Sequence, residues 1–281
     1  MLSISQHNEE TFEGKNGLKL FSQNWTPDGS SKATLIIVHG LHDYSTRYAG
    51  AAEDLVKQGY AVYAFDLPGH GKSEGKRQSI GSFDEYLEDL DRFVKRVQSK
   101  ELGKPLFMFG FSMGANIVAT YLLDKKTDIK GVILAAPGLK APDSTPKIAI
   151  ILLKSLVPLL PNMGTARQSP SDFSRDPVVV AEMGKDPLLS WKPVPARTIL
   201  GVVRTGEKLR REAGDFSIPF LMLQGSADKL VSPEGSKIFY ERSHSTDKTF
   251  KLYENVNHDL LHEPEKQTVM NDISNWLEKH S

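Results

Sequence analysis

The sequence predicts an α/β fold: a mostly parallel central sheet flanked by helices, with a helical cap insertion. Three observations predict it. Six short, largely apolar runs are rich in β-branched and aromatic residues. Continuous rather than alternating apolar character marks strands buried on both faces, as in a parallel sheet. Helical patterns lie between these runs, and strand–helix alternation builds βαβ units. The rhythm then stops between about Leu139 and Ser217, where nine prolines fall from Pro142 to Pro195, and resumes at Ile218.

The elements follow in chain order. The run "TLIIV" (34–38) leads into His39-Gly40-Leu41-His42, and "AVYAF" (61–65) into the loop "PGHGKSEGK" (68–76). A helix is expected from Ser82, with Glu85 placed for a capping box. Phe83, Tyr86, Leu87, Leu90, Phe93, Val94 and Val97 recur at spacings of three and four, an amphipathic pattern. The run "PLFMF" (105–109) enters "GFSMGA" and then the helical pattern "ANIVATYLL". The run "GVILA" (131–135) precedes the insertion. After it, "PFLML" (219–223) leads to "GSADKLV", and "TFKLY" (249–253) to "NHDLLHE". The expected division is a core of 1–138 and 217–281 with a cap or lid of 139–216.

Composition excludes several classes. Lys+Arg and Asp+Glu both number 35, so no basic excess points to nucleic acid. The chain has no cysteine, which rules out disulfides, thiolate catalysis and cysteine-ligated metals. The stretch "MLSISQHNEE" lacks the basic and apolar regions of a signal peptide. No apolar run reaches the 18 residues of a membrane span. A cytoplasmic protein is expected, and the sequon Asn24-Trp25-Thr26 is read as chance.

The chemistry starts at Ser112. It follows a strand, precedes a helix, and has Gly110 and Gly114 two residues to either side. This G-x-S-x-G context is a sharp turn that exposes the serine hydroxyl. The flanking glycines are expected because a Cβ at either would strike the adjacent strand or helix. A serine needs a base, and the base an orienting partner. Open α/β sheets place both at the carboxyl ends of strands. Asp228 follows one later strand and His258 the next. The order Ser112, Asp228, His258 is that of an α/β-hydrolase. The oxyanion needs two N–H donors. Met113, after the nucleophile, and Leu41, in the loop after the first run, are the candidates.

At these residues the chain resembles the monoacylglycerol lipase (monoglyceride lipase, lysophospholipase-like) family of α/β-hydrolases. The matching pieces are "VHGLHDYSTRY" (38–48), "FDLPGHGKSEG" (65–75), "GFSMGA" (110–115), "PFLMLQGSADKLV" (219–231) and "YENVNHDLLHE" (253–263). The resemblance implies Ser112 as nucleophile, Asp228 and His258 as its partners, and Leu41 and Met113 as oxyanion donors. The family's HG-x-G-E-H is filled at its last three places by His42, Asp43 and Tyr44. Its G-H-S-M-G-G has Phe111 and Ala115 at two places. His42 and Phe111 are therefore expected near the substrate.

Other motifs weigh less. His258 and His262 are spaced like a helical metal pair, but the residue after His258 is aspartate and Pro264 follows closely. The loop at 68–76 fits neither phosphate-binding glycine fingerprint, and His70 reads as structural or surface. The stretch "KIAIILLKSLVPLLPNMG" (147–164) is the most apolar in the chain. It reads either as a cap helix packed on the core or as a lipid-facing helix lining an acyl tunnel, with Ile151 and Leu152 as substrate contacts.

The expected reaction is hydrolysis of a lipid carboxyl ester, monoacylglycerol above all, without metal or cofactor. The alternatives are a lysophospholipase, a broad carboxylesterase, and, in another class, a silent ligand receptor on the same fold. Expected partners are the lipid ester and a membrane surface touched by the cap, with no nucleic acid and no protein partner.

Overall fold

The computed structural model describes residues 6–165 and 167–281. Its eight strands are β1 (Gln6–Glu13), β2 (Lys19–Thr26), β3 (Ala33–Val38), β4 (Tyr60–Phe65), β5 (Leu106–Phe111), β6 (Ile129–Ala135), β7 (Phe220–Gly225) and β8 (Lys248–Tyr253). They form one sheet in the order β1-β2-β4-β3-β5-β6-β7-β8. From β4 to β8 every pairing is parallel, while β1–β2 and β2–β4 are antiparallel. The fold is that of an α/β-hydrolase.

Each of the six apolar runs is a strand. Within β3 the side chains alternate between two cores. Ile36 and Val38 join the cluster under α2 (Phe83–Lys100) and α3 (Met113–Asp124), while Leu35 and Ile37 join the one under α1 (Ala49–Lys57) and α9 (Lys266–His280). Burying an aliphatic side chain stabilises by about 1.5–3 kcal/mol, so this double burial fixes the register of the central strands. β8 departs from the reading. It is an edge strand, half-buried along its length, with Leu252 46% exposed.

The first two strands carry no apolar run. β1 is the other edge and nearly all exposed. β2 is buried, but through polar residues such as Ser22, Gln23 and Asn24. The Gln23 amide donates to the Ser45 hydroxyl at 2.7 Å. Tertiary hydrogen bonds, not hydrophobic pattern, give this strand its place. Asn24 of the sequon is buried here, paired with Tyr63 of β4.

α2 begins where the sequence predicts, with Ser82 as N-cap, but the capping box does not form. The Ser82 hydroxyl caps nothing, and the Glu85 N–H donates to the Ser82 carbonyl at 3.3 Å. The Glu85 carboxylate instead lies back against Gly81.

Between β6 and β7 lie α4 (Lys147–Leu156), α5 (Pro170–Phe173), α6 (Pro177–Lys185) and α7 (Ala196–Arg211). α8 (Pro233–Arg242) follows β7. α7 packs into the main core through Leu209, and a Cβ on its Gly206 would lie 2.5 Å from the Gly138 carbonyl oxygen. α4 is attached more lightly, through Leu153 and Val157 against Ala196 and Leu200. Among the described residues, no helix is long and apolar enough to cross a membrane.

Candidate active site

Ser112 sits between the end of β5 and the start of α3. Its backbone has φ 53° and ψ −117°, a conformation that strains a residue with a Cβ. Hydrogen bonds hold it there: its N–H donates to the Ala135 carbonyl at 2.9 Å, and its carbonyl accepts from Ala115 at 3.0 Å. The flanking glycines let the turn close. A Cβ on Gly110 would lie 2.6 Å from the Ala115 Cα in α3, and one on Gly114 would lie 2.1 Å from the Val38 carbonyl oxygen in β3.

The structure brings the three predicted residues together from the ends of β5, β7 and β8. His258 Nε2 is 2.8 Å from Ser112 Oγ, and His258 Nδ1 is 2.7 Å from Asp228 Oδ2. A carboxylate can only accept, so Nδ1 carries the hydrogen and Nε2 faces the serine as an acceptor. Asp228 is itself held on both oxygens. Oδ1 accepts from the Leu230 and Val231 N–H groups at 2.8 and 3.0 Å, and Oδ2 from the Gln224 amide at 2.9 Å. Gln224 is fixed in turn by the Ser236 hydroxyl at 2.8 Å. The Asp228 and His258 side chains are almost fully buried, while Ser112 is half-buried.

Met113 is the first residue of α3, where N–H groups have no partner in the preceding turn. Leu41 lies in the loop after β3, which rests on the serine turn: a Cβ on Gly40 would lie 3.0 Å from Ser112 Cβ. His39 braces that loop. Its Nε2 accepts from the Leu67 N–H at 2.9 Å, and its Nδ1 donates to the Gly40 carbonyl at 2.8 Å.

Phe111 is buried, its ring 5.0 Å from that of His258. His42 is buried as well, stacked on Trp191 at 4.9 Å and edge-on to Phe173 at 5.8 Å. Phe173 also meets His258, ring to ring, at 5.6 Å. Ile151 and Leu152 are not brought to this cluster. They are 56% and 49% exposed on α4, outside the packed wall around His258. The reason is the helix's attachment: α4 turns Leu153 and Val157 inward, which leaves the neighbouring positions outside.

A buried charge network beside the site escaped the sequence reading. Arg47 donates to Asp43 at 2.9 Å and to Asp259 at 2.7 Å. The Tyr48 hydroxyl donates to Asp43 at 2.6 Å, and His262 meets Asp259 at 2.7 Å and the Arg47 carbonyl at 3.0 Å. Burial opposes the Asp259 charge, but His262 and Arg47 outweigh it and hold the carboxyl well below its usual range. Burial likewise opposes the Arg47 charge, and Asp259 and Asp43 raise its pKa regardless. The network ties the loop carrying Leu41 to the residue after His258. Arg47 and Asp259 are 212 positions apart, so no local spacing could signal it.

Glu263 makes a second tie. Its carboxylate accepts from the Asn257 N–H at 3.0 Å and from the Arg175 N–H and Nε at 2.7 and 2.8 Å. It thereby joins the His258 loop to the segment after α5. His262 is engaged by this surrounding protein, and among the described residues no group of three or more metal-ligating side chains occurs. His70 is buried, with Nδ1 against the Pro68 carbonyl at 3.0 Å. Burial, with His39 close by, lowers its pKa to about 3, so it is a neutral structural residue.

Fold and geometry define an α/β-hydrolase of the serine ester hydrolase class. The sequence profile of the family described as "Serine aminopeptidase, S33" matches residues 29–265. The monoglyceride lipase of Rattus norvegicus is 33% identical over 93% of this chain and 88% of its own length. The monoacylglycerol lipase of Mycolicibacterium smegmatis is 29% identical over 98% and 99%. The crystal structure of Paleococcus ferrophilus monoacylglycerol lipase superposes with a TM-score of 0.83 at 30% identity, covering 93% of this chain and 99% of that one. The chain belongs to the serine aminopeptidase S33 family, within its monoacylglycerol lipase branch.

Proposed function

We propose that this protein hydrolyses monoacylglycerol to glycerol and a free fatty acid, with Ser112 as nucleophile, His258 as general base and Asp228 as its orienting partner. The observation that carries the reading is the 2.8 Å approach of His258 Nε2 to Ser112 Oγ. Ser112 Oγ attacks the ester carbonyl carbon while its proton passes to His258 Nε2. The oxyanion that forms accepts hydrogen bonds from the Leu41 and Met113 N–H groups. The intermediate collapses to an acyl-serine as His258 returns the proton to the departing glycerol oxygen. Water, deprotonated by the same nitrogen, then releases the fatty acid and restores Ser112. Asp228 keeps the proton on Nδ1 and stabilises the imidazolium between these steps.

The segment 139–216 acts as a cap over the strand ends. Phe173 and Trp191 pack on His258 and His42 from that segment, which supports this role. Its outer face exposes Ile148, Ile151, Leu152, Leu159 and Leu160. Exposed apolar side chains of this kind suit a peripheral contact with membranes, from which a lipid ester would be drawn. The protein is accordingly read as cytoplasmic and membrane-touching.

The test is a substrate panel: 1- and 2-monoacylglycerols of several chain lengths, diacylglycerol, lysophosphatidylcholine and a short nitrophenyl ester, with Ser112→Ala as control. Preference for monoacylglycerol is expected. Preference for lysophosphatidylcholine or the short ester would replace the substrate and keep the serine chemistry.

A further inference from the structure

Behind Asp228 lies a second pair of polar side chains, Gln224 at the end of β7 and Ser236 in the first turn of α8, and both are fully buried. An amide side chain offers two N–H donors and one carbonyl acceptor. In Gln224 each has a partner. Nε2 donates to Asp228 Oδ2 at 2.9 Å and to the Gly225 carbonyl at 3.4 Å. Oε1 accepts from the Ser236 hydroxyl at 2.8 Å. The two oxygens on one side set the amide nitrogen toward Asp228, and Ser236 holds the other end. Turned over, the amide would press its carbonyl oxygen against a carboxylate.

The two oxygens of Asp228 are held differently. Oδ1 accepts from the Leu230 and Val231 N–H groups, within its own turn. Oδ2 is the oxygen that meets His258 Nδ1, at 2.7 Å. Among the described residues, its one other partner is the Gln224 amide. Rotation of the carboxylate would carry Oδ2 away from Nδ1, and the Gln224 bond resists that rotation from the far side. A hydrogen bond to an ionised group is roughly twice as strong as a neutral one. The angle it fixes matters, because a misplacement of about 1 Å at a reacting group costs on the order of a hundredfold in rate.

We propose that Gln224 is a positioning residue for the reaction: its amide, held by Ser236, fixes Asp228 Oδ2 and through it the His258 ring that faces Ser112. The inference rests on the assignment of Ser112, His258 and Asp228 above and adds two side chains that touch no substrate. It is independent of which ester is cleaved, so a short soluble ester is enough to test it.

The experiment measures kcat and KM on a nitrophenyl ester from mildly acidic to alkaline pH, with the active serine counted by fluorophosphonate titration. Gln224→Met keeps the volume and removes the donor. The expected result is a roughly tenfold fall in kcat per titrated serine, the scale of a lost hydrogen bond to a charged group, with KM within about twofold of the parent. In Gln224→Glu two carboxyls meet at Oδ2, and one must take up a proton. While protonated, the new carboxyl can donate as the amide did. Its kcat is expected to stay near the parent's on the acid side and to fall as pH rises, an alkaline limb added to the parent's profile. Ser236→Ala frees the far end of the amide and decides the matter if the Gln224 variants fail to fold; a loss of about threefold in kcat is expected. A purely structural role would lower the number of titratable serines or the melting midpoint and leave kcat per serine and the shape of the pH profile unchanged. That result would overturn the inference. Parent-like turnover in Asp228→Ala would remove Asp228 from the mechanism, and this relay with it.

Discussion

At the scale of single residues, the site combines strain with redundancy. Ser112 holds a conformation that costs of the order of 1–3 kcal/mol, and its backbone bonds to Ala135 and Ala115 fix it. Ser112→Ala is expected to lower kcat by roughly 10⁴-fold or more while leaving the thermal unfolding midpoint at or above that of the parent. Steady-state kinetics and calorimetry check the two halves. Retained turnover would remove Ser112 from the mechanism. Arg47 is the opposite case, a residue that stabilises rather than reacts. Arg47→Met leaves Asp43 buried without its cation and Asp259 with His262 alone, and loss of one partner of a buried ion pair costs about 3–5 kcal/mol. Urea unfolding is expected to show a loss on that scale. A loss under about 1 kcal/mol would mean that water replaces the guanidinium.

At the scale of elements, two sequence signals separate. The Ser82/Glu85 pair matches a capping box in type and spacing, yet the side chains do not engage. Ser82→Ala is therefore expected to change stability by less than about 0.5 kcal/mol, against the usual cap value near 1 kcal/mol. A full cap-sized loss would show that the box forms in solution. The apolar character of 147–164 is legible in sequence, but its direction is not. α4 turns Leu153 and Val157 onto α7 and leaves Ile151 and Leu152 outside. Replacing both exposed residues with serine is expected to weaken binding to lipid vesicles severalfold in a flotation assay, with little effect on a short soluble ester. Unchanged vesicle binding would leave the patch without a membrane role.

At the scale of the whole molecule, Asp89 links stability to pH. It lies on α2, fully buried, and accepts the Lys15 N–H at 2.5 Å, which pins the β1–β2 connection to that helix. Its second oxygen has no partner among the described residues. Burial pushes its pKa up from 3.8 to about 6, more than the Lys15 hydrogen bond lowers it. The folded state thus prefers the protonated acid. The stability this gives is complete below about pH 3.8 and is lost as pH rises through about 6. Asp89→Asn keeps an acceptor for Lys15 and never ionises. It is expected to stabilise the protein by about 1–2 kcal/mol at pH 7.5 relative to the parent, with the gain vanishing near pH 4. Thermal melts across that range check it. A gain independent of pH would assign the effect to something other than the charge.

The sequence by itself determined the central strands, the serine turn and the order of Ser112, Asp228 and His258. These are written locally: a strand buried on both faces must be apolar at each position, and a sharp turn needs glycine where a Cβ would strike Ala115 or Val38. The family pattern at the same residues agreed with that reading. Only the tertiary structure decided β1 and β2, the Arg47–Asp259 network, the outward face of α4 and the enclosure of His42 between Trp191 and Phe173. Polar strands, long-range ion pairs and ring contacts take their energy from partners brought close by folding. Nothing in the local order of residues specifies which distant side chain will fill that place.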